Sequence, residues 1–283
     1  MSGAGDPEVT TRDGRRLHAE RHGHGSPTVV FEAGMGFSRS SWGAVIPLVA
    51  ELTSVVAYDR SGLGRSPRDP APRDLARLAA DLVDVLGALG TGPFVLVGHS
   101  WGGPIVRSAA AMAPDRVAGL VLVDQTDEGC DLFFSRAQAV QTAISGPLMR
   151  VMARTGLLRR LLRRQVASVP EPWRTGLLTE DGTPAAVAAQ LAELRSCTDD
   201  LRRLRAEPLA LPDVPVTYIS GGKTGFGERG RRGELVAAHR AAAAALPQGR
   251  HVLAEASSHY VPITEPEVIA AEIRRIVEAA RGA

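Results

Sequence analysis

The sequence predicts an α/β fold in which a mostly parallel central sheet is flanked by helices, with a helical cap inserted before the last two strands. Three observations predict it. Short apolar runs alternate with longer segments of helical period, and one of these runs leads directly into a serine flanked by glycines. The strand signal also stops near residue 125 and returns near residue 214. Strand, helix and strand in this order imply parallel pairing with right-handed crossovers.

The first elements follow from local patterns. Residues 8–11 and 15–21 are predicted as an opening hairpin, because Asp13-Gly14 between them favours a tight turn. A short buried strand over 28–33 precedes a glycine-rich turn and a helix over 42–52, and the next strand covers 54–58. The segment 74–89 is predicted as a helix because its apolar residues form one stripe, made of Leu75, Leu78, Leu82, Val85, Leu86 and Leu89.

The remaining elements alternate in the same way. In order, they are a strand at 94–97, a helix at 104–112, strands at 119–124 and 214–220, a helix at 234–246, a strand at 250–254 and a helix at 265–280. Residues 125–208 interrupt the alternation with helical period alone. An insertion bracketed by core strands is expected to cover the carboxyl ends of the strands, where ligands bind in open α/β sheets. We therefore expect a core of residues 1–127 and 208–283 and a cap of residues 128–207.

Composition bounds the function. The chain has 283 residues, a formal net charge of +2 and 44% hydrophobic residues, so its overall charge does not favour nucleic-acid binding. Two cysteines, Cys130 and Cys197, do not form a disulfide framework, and neither has metal-ligand spacing. No apolar leader and no run of transmembrane length is present in the sequence, which predicts a soluble cytoplasmic protein.

The strongest motif is Gly98-His99-Ser100-Trp101-Gly102-Gly103, directly after the apolar run 94–97. A serine with glycines two positions to either side, between a strand and a helix, is the sequence form of a nucleophile elbow. The turn is so sharp that side chains at positions 98 and 102 would collide with neighbouring backbone. This geometry raises a hydroxyl above the end of a sheet, where it suits attack on a carbonyl.

Several segments together resemble the α/β-hydrolase superfamily. They are the elbow with its strand, the segment Ala57-Tyr58-Asp59-Arg60-Ser61-Gly62-Leu63-Gly64-Arg65-Ser66, the strand Leu120-Val121-Leu122-Val123-Asp124 and the late Ser257-Ser258-His259-Tyr260. The resemblance covers residues 8–280 apart from the cap, and it implies an α/β-hydrolase fold. Asp59 and Arg60 are expected to tie loops together near the site.

The elbow predicts Ser100 as the nucleophile, and a serine hydroxyl needs a base to remove its proton. His259 is the predicted base because it follows the last strand, where the family places its histidine and where a triad's chain order expects it. The other histidines are set aside by position: His99 beside the nucleophile, His18, His22 and His24 near the hairpin, His239 on a predicted surface helix and His251 at the start of a strand.

The sequence leaves more than one candidate for the acid of the catalytic triad. Most relatives carry it after the strand at 214–220, but here that turn has no acid until Glu228. A variant of the fold takes its acid from the end of the preceding core strand, which implies Asp124. Glu228, Asp127 and Glu128 remain as alternatives.

The resemblance also implies an oxyanion hole, formed by two backbone amides that bind the charge developing in the transition state. One amide belongs to Trp101, directly after the nucleophile. The turn Ala33-Gly34-Met35-Gly36-Phe37 matches the family's His-Gly-X segment with alanine in place of histidine, which makes Met35 the second donor.

The cap offers weaker signals. Residues 150–165 are predicted as an amphipathic helix that buries its leucines on the core and solvates its arginines, so membrane contact is not expected. Phe133, Phe134 and Trp173 are candidate substrate-binding residues that would line a pocket for an apolar moiety.

These features together predict a serine esterase that acts on a carboxylic ester, lactone or thioester through an acyl-enzyme. An acyltransferase, a cyclase or a C–C bond hydrolase of secondary metabolism would use the same residues, and a non-catalytic ligand-binding protein would keep only the fold. Serine rather than aspartate at the elbow disfavours epoxide hydrolysis, which needs a carboxylate nucleophile. No cofactor, metal or nucleic acid is implied, and the expected partner is a small-molecule substrate.

Overall fold

A computed structural model describes residues 5–224 and 229–282. Within these residues the strands β1 to β9 are Val9–Thr10, Arg16–Leu17, Ala19–His22, Thr28–Glu32, Val55–Tyr58, Phe94–His99, Val117–Val123, Val216–Gly221 and Gly249–Ala254. The helices α1 to α10 are Ile46–Ala50, Leu75–Leu89, Gly102–Met112, Arg136–Arg154, Leu157–Gln165, Trp173–Glu180, Pro184–Ala206, Arg229–Ala244, Val261–Thr264 and Pro266–Gly282.

The main sheet has seven strands in the order β3-β5-β4-β6-β7-β8-β9. All neighbours pair in parallel except β3, which is antiparallel to β5. The predicted fold class, a mostly parallel sheet flanked by helices, is therefore confirmed. Parallel pairing brings the carboxyl ends of β6, β7 and β8 together at one edge, which places Ser100, Asp124 and Gly221 beside one another.

Both faces of the sheet are covered. Leu96 and Leu120 face one layer, where they pack with Leu82 of α2 and Ile105 of α3. On the opposite face, Val97 and Val121 belong to the cluster that holds α1 and α10. Each of these side chains is shielded from water, which is why the central strands are continuous apolar runs rather than alternating ones.

The opening hairpin differs from its prediction. The expected strand over 15–21 is divided at His18, so that β2 pairs with β1 in a small ribbon and β3 joins the main sheet. The backbone of His18 explains the division. Its N–H donates to Ser66 Oγ at 2.8 Å and its carbonyl accepts from the N–H of Asp59 at 2.8 Å, so both groups bind a loop of the core.

Two predicted helices are also shorter than expected. The helix predicted at 42–52 is a 3-10 turn over Arg39–Trp42 followed by α1. The amphipathic helix predicted at 150–165 is divided between α4 and α5, because Gly156 adopts a left-handed φ of 74°. A left-handed residue ends an α-helix, and glycine takes this conformation without steric cost.

Helices α4 to α7 occupy the insertion between β7 and β8. They are attached to the core by buried polar contacts: Arg39 to Glu180 at 2.8 Å, the N–H of Ser38 to Asp181 Oδ1 at 3.0 Å and Arg60 to Glu193 at 2.9 Å. Among the described helices, none is both long and apolar enough to cross a bilayer.

Candidate active site

Ser100 lies in a strained turn between β6 and α3. Its φ is 54°, a value that residues with side chains rarely adopt. The flanking glycines are required by space. A Cβ at Gly98 would lie 2.4 Å from the carbonyl oxygen of Gly102, and one at Gly102 would lie 2.5 Å from the carbonyl oxygen of Glu32. The turn therefore has the strand-turn-helix geometry of an elbow, with Ser100 above the edge of the sheet.

Asp124 and His259 are joined directly. Asp124 follows β7 with a φ of 39°, and its Oδ2 lies 2.7 Å from His259 Nδ1. The other oxygen, Oδ1, accepts from the N–H of Gly221 at 2.9 Å. Asp124 is fully buried, whereas the His259 side chain is 38% exposed. The contact orients the imidazole and leaves its other nitrogen, Nε2, directed away from the carboxylate.

An arginine that the sequence did not single out also binds Asp124. Arg232 Nη1 lies 2.6 Å from Oδ1 and 2.7 Å from Oδ2 of the carboxylate. Burial by itself would raise the pKa of Asp124, but the hydrogen bond from His259 and the charge of Arg232 together hold that pKa well below its usual range. The carboxylate is therefore ionised and accepts the proton that His259 carries on Nδ1. Arg232 is 108 positions from Asp124 in the chain, and no local motif marks it.

His99 lies beside the nucleophile but is engaged elsewhere. Its Nε2 is 2.8 Å from the carbonyl oxygen of His259, and the two rings are 4.8 Å apart. Burial lowers the pKa of His99 to about 3, so the neutral ring donates from Nε2 to that carbonyl. This contact holds the backbone of His259 in place. It also leaves His99 unsuited to act as the base, in line with the sequence analysis.

The turn at 33–37 contacts the nucleophile. A Cβ at Gly34 would lie 3.4 Å from Ser100 Cβ, which shows how closely the two backbones approach. Buried Arg60 supports the turn, since its guanidinium donates to the carbonyl oxygens of Ala33 at 2.6 Å and Gly34 at 3.0 Å. Arg60 thus ties loops together near the site, as the sequence analysis expected.

The two predicted oxyanion donors and Ser100 face one cavity. Trp101 is the residue before α3, and Met35 belongs to the turn that Arg60 supports. Among residues 5–224 and 229–282, the backbone N–H groups of Met35 and Trp101 donate to no protein acceptor. Both groups are therefore available to a ligand oxygen at Ser100.

A cavity of 460 Å³ opens at the nucleophile. Ser100, Met35 and Trp101 form part of its wall, and Phe133, Phe134, Leu194 and Leu201 supply an apolar lining. Threonine, serine, glutamine and alanine side chains, together with Cys197 and Arg202, complete the wall. A larger cleft of 670 Å³ lies between the loop 61–74 and α7. Ser100 lines only the smaller of these two cavities, so we assign the chemistry to it.

Of the three predicted substrate-binding residues, the structure brings two to this cavity. Phe133 and Phe134 line it, but Trp173 does not. The Trp173 indole packs instead on Gly43, where an added Cβ would lie 2.1 Å from Trp173 Cβ, and its ring is 5.0 Å from the ring of His22. Trp173 therefore joins the cap to the core rather than contacting a ligand, and its assignment to substrate is corrected.

The alternative acids are placed differently from Asp124. Asp127 Oδ1 accepts from the N–H of Gly129, and its Oδ2 accepts from the Gln125 side chain at 2.8 Å. Glu128 forms an ion pair with Arg107. Neither carboxylate contacts His259 in the described structure. Glu228 lies outside the described residues.

His239 corrects a second expectation. It was set aside as a residue of a surface helix, but its side chain is fully buried. Its Nδ1 lies 2.7 Å from Ser220 Oγ, and its Nε2 lies 2.9 Å from the carbonyl oxygen of Gln125. Both nitrogens are occupied, so His239 has a structural role behind the site.

Ser100 and His259 are not hydrogen-bonded to each other. In the described structure no hydrogen bond joins Ser100 Oγ to His259 Nε2, whereas the pair of His259 and Asp124 is fully formed. The same residues contain no group of three or more histidine, cysteine or acidic side chains that would hold a metal ion. The arrangement is chemically suited to general-base activation of a hydroxyl.

Comparison with known proteins identifies one family that matches most of the chain. The family described as "Alpha/beta hydrolase family" matches residues 29–272. The protein named "Putative carbamate hydrolase RutD" from Azorhizobium caulinodans is 37% identical over 140 residues, which are 48% of this chain and 52% of that protein. The match with this curated relative thus spans about half of its length.

Solved structures resemble the chain over nearly its whole length. One is described as a "putative epoxide hydrolase" from Pseudomonas aeruginosa, with a TM-score of 0.73, 19% identity and coverage of 98% of this chain and 96% of that one. Another is a thermophilic esterase from Thermogutta terrifontis, with a TM-score of 0.71, 22% identity and coverage of 98% and 99%. At these identities the likeness concerns the fold alone.

Proposed function

Because the chain belongs to the alpha/beta hydrolase family, we propose that it is a serine hydrolase that cleaves a carboxylic ester, lactone or thioester through an acyl-enzyme on Ser100. The observation that carries the proposal is the 2.7 Å contact between His259 Nδ1 and the buried carboxylate of Asp124, next to a serine in a strained turn. A nucleophile, a base and a group that orients the base are the parts that acyl transfer requires.

In the proposed mechanism, Asp124 keeps the proton of His259 on Nδ1, so that Nε2 presents a lone pair to Ser100. As substrate enters, Ser100 Oγ donates to Nε2; such hydrogen bonds often tighten only in the substrate complex. His259 takes the proton while Oγ attacks the carbonyl carbon. The carbonyl oxygen becomes an oxyanion, and the N–H groups of Met35 and Trp101 bind it. Losing one such donor typically costs about 3 kcal/mol of transition-state stabilisation.

The tetrahedral intermediate then collapses. The imidazolium of His259 gives its proton to the leaving alcohol or thiol, which leaves an ester between Ser100 and the acyl group. Water donates a proton to the same imidazole and attacks the ester carbonyl. The acid is released, and Ser100 regains its proton. Asp124 stays ionised throughout and stabilises the imidazolium that forms in each half of the reaction.

The cavity supports a substrate with an apolar group. Phe133, Phe134, Leu194 and Leu201 form the apolar part of its wall, mostly from the insertion. We assign residues 128–207 as a cap that closes this cavity above the strand ends. Carbamate, named in the RutD relative, is also attacked at a carbonyl carbon, so it belongs in the substrate panel. Epoxide opening is not proposed, because it needs a carboxylate where this chain has Ser100.

The test combines covalent labelling by a fluorophosphonate with turnover of short- and long-chain p-nitrophenyl esters and an aryl carbamate. Ser100→Ala is expected to abolish labelling and to lower turnover by at least about 1,000-fold. Ser145→Ala, on α4, is the matched control and is expected to retain both. Labelling without ester or carbamate turnover would favour the acyltransferase, cyclase or C–C hydrolase alternatives. A folded wild-type protein without labelling or turnover would favour a non-catalytic binding protein.

A further inference from the structure

The insertion has an exposed apolar surface, and its part within residues 150–165 was expected to be buried. Leu162 is buried as predicted, but other apolar side chains of the same segment are not. The exposed fractions are 59% for Val140, 65% for Ile144, 55% for Leu148, 57% for Val151, 45% for Leu157 and 48% for Leu161. We call these six side chains, on α4 and α5, the outer face.

Helix geometry makes the outer face continuous along each helix. Residues 140, 144, 148 and 151 follow one another at spacings of four, four and three, which places them on one side of α4. Residues 157 and 161 are related in the same way on α5. Scattered exposed apolar residues are ordinary in soluble proteins, but a contiguous apolar patch marks a surface that binds something.

The charges around the outer face are of one sign. Residues 136–165 contain seven arginines and no acidic residue. Of the 33 basic and 31 acidic residues in the chain, 26 basic and 31 acidic ones lie elsewhere, so the remainder has a formal charge of −5. All seven arginines are exposed, and none forms an ion pair within the described part of the chain. The charge of this segment is thus not neutralised by the protein itself.

From this combination we propose that the outer face docks on the surface of an anionic lipid bilayer. Helices with apolar residues on one side and arginines around them lie in the membrane interface, where the apolar side chains enter the acyl boundary and the cations contact headgroups. A second copy of this chain fits less well. In a two-fold dimer the same patch meets itself, which would bring the seven arginines of each copy together.

The docking would place the cavity close to the bilayer. Ala139, Thr142 and Ala143 of α4 line the cavity that contains Ser100, and the outer face is an adjacent side of the same helix. If the chain acts as proposed above, an apolar substrate would reach Ser100 from the interface. That consequence rests on the proposed function, whereas the docking itself does not.

The experiment measures co-sedimentation of the full chain with vesicles. Vesicles of phosphatidylcholine alone are compared with vesicles of phosphatidylcholine and phosphatidylglycerol in equal parts. The wild type is expected to bind the anionic vesicles at least about tenfold more tightly, and added salt is expected to weaken that binding because it screens the arginines. Equal binding to both compositions, or binding to neither, overturns the proposal.

Variants separate the apolar and the charged contributions. The double variant Ile144→Gln with Leu148→Gln and the double variant Arg160→Gln with Arg164→Gln are each expected to weaken vesicle binding roughly tenfold. Met112→Gln, an apolar side chain that is 51% exposed elsewhere, is the matched control and is expected to bind like the wild type. Wild-type affinity in both double variants overturns the proposal. All substitutions are at the surface, and circular dichroism checks that each protein is folded.

Two further measurements keep the result interpretable. If light scattering shows a dimer that Ile144→Gln with Leu148→Gln converts to a monomer, the outer face is a contact between copies and the lipid proposal fails. Ser100→Ala is expected to bind vesicles like the wild type. Failure of the proposed hydrolase activity would therefore leave the docking result unchanged. Failure of vesicle binding would likewise leave the proposed hydrolase activity unchanged.

Discussion

Replacing Asp124 by asparagine tests the proposed triad at the position where its members are tightly bound. The two carboxylate oxygens have different partners: Oδ1 accepts from the N–H of Gly221 at 2.9 Å, and Oδ2 accepts from His259 Nδ1 at 2.7 Å. Asparagine has one oxygen and one NH₂ group, so only one of these hydrogen bonds survives. Arg232, which contacts both oxygens, faces an NH₂ group in either orientation.

The orientation of the amide decides the activity. The Gly221 N–H can only donate, so the amide oxygen is held toward it and the NH₂ group faces His259 Nδ1. His259 must then accept at Nδ1 and carry its proton on Nε2, where it cannot take the proton of Ser100. The opposite orientation leaves a buried N–H of Gly221 unpaired, which costs about 1–3 kcal/mol. This cost limits that orientation to between about a fifth and less than a hundredth of the molecules. Even that fraction lacks the charge that stabilises the imidazolium.

Both effects together predict a loss of about 1,000- to 10,000-fold in kcat for Asp124→Asn. By the exponential relation between barrier and rate, this is about 4–5.5 kcal/mol. Turnover of a p-nitrophenyl ester and the rate of fluorophosphonate labelling measure it, with the folded fraction determined by circular dichroism. Asp127→Asn, a neighbouring carboxylate without contact to His259, is the control, and Glu228→Gln tests the alternative acid. The reasoning is refuted if Asp124→Asn keeps more than a tenth of the activity or if Glu228→Gln is the more damaging change.

Two other predictions concern stability. Glu193→Gln is expected to lower the free energy of unfolding by about 3–5 kcal/mol. Buried Glu193 pairs with Arg60 at 2.9 Å and Arg73 at 2.5 Å, so the substitution leaves the charge of Arg73 uncompensated and leaves Arg60 paired with Glu32 alone. Urea unfolding measures it, with Glu207→Gln, an exposed residue directly after the same helix, as the control. A loss below about 1 kcal/mol would contradict the account. His99 is neutral when folded because burial lowers its pKa from its usual 6.5 to about 3, so its contribution to stability is complete above pH 6.5 and is lost as pH falls toward 3. The stability difference between wild type and His99→Gln should therefore shrink from pH 7 to pH 4, and a difference that does not change with pH would be evidence against this origin.

Much of the fold could be predicted from the spacing of apolar residues, because strands and helices each bury a characteristic pattern of side chains. Buried parallel strands need continuous apolar runs, and the helix over Leu75–Leu89 needs one apolar stripe. These elements can therefore be predicted from the sequence without knowledge of the elements packed against them. The elbow at Ser100 is also recognisable from its local sequence. A side chain at Gly98 would collide with the backbone of Gly102, and one at Gly102 would collide with the backbone of the adjacent strand β4. Where tertiary contacts overrode the pattern, the predictions were wrong, as in the strand divided at His18.

The candidate site was predictable to the extent that sheet topology determines it. Parallel strands bring their carboxyl ends together, and the family resemblance implied that Asp124 and His259 are the residues that join Ser100 there. Their catalytic roles remain predictions. The last residue of β8 shows a constraint of this kind: a Cβ at Gly221 would lie 1.8 Å from the carbonyl oxygen of Ser258. No side chain fits at Gly221, and its N–H instead donates to Asp124, the carboxylate that contacts His259.

The sequence by itself determined the alternating α/β fold and the elbow, because apolar period and glycine spacing act over a few residues. Only the tertiary structure decided that Arg232 binds Asp124, that Arg60 connects Glu193 to the turn beside the nucleophile and that Trp173 packs on the core. These partners are separated by dozens to more than a hundred positions, and an arginine or a glutamate has the same local pattern whether it is solvated or buried in an ion pair. Which of the two occurs depends on the packing of distant elements, and it is this packing that sets the charge around the proposed triad.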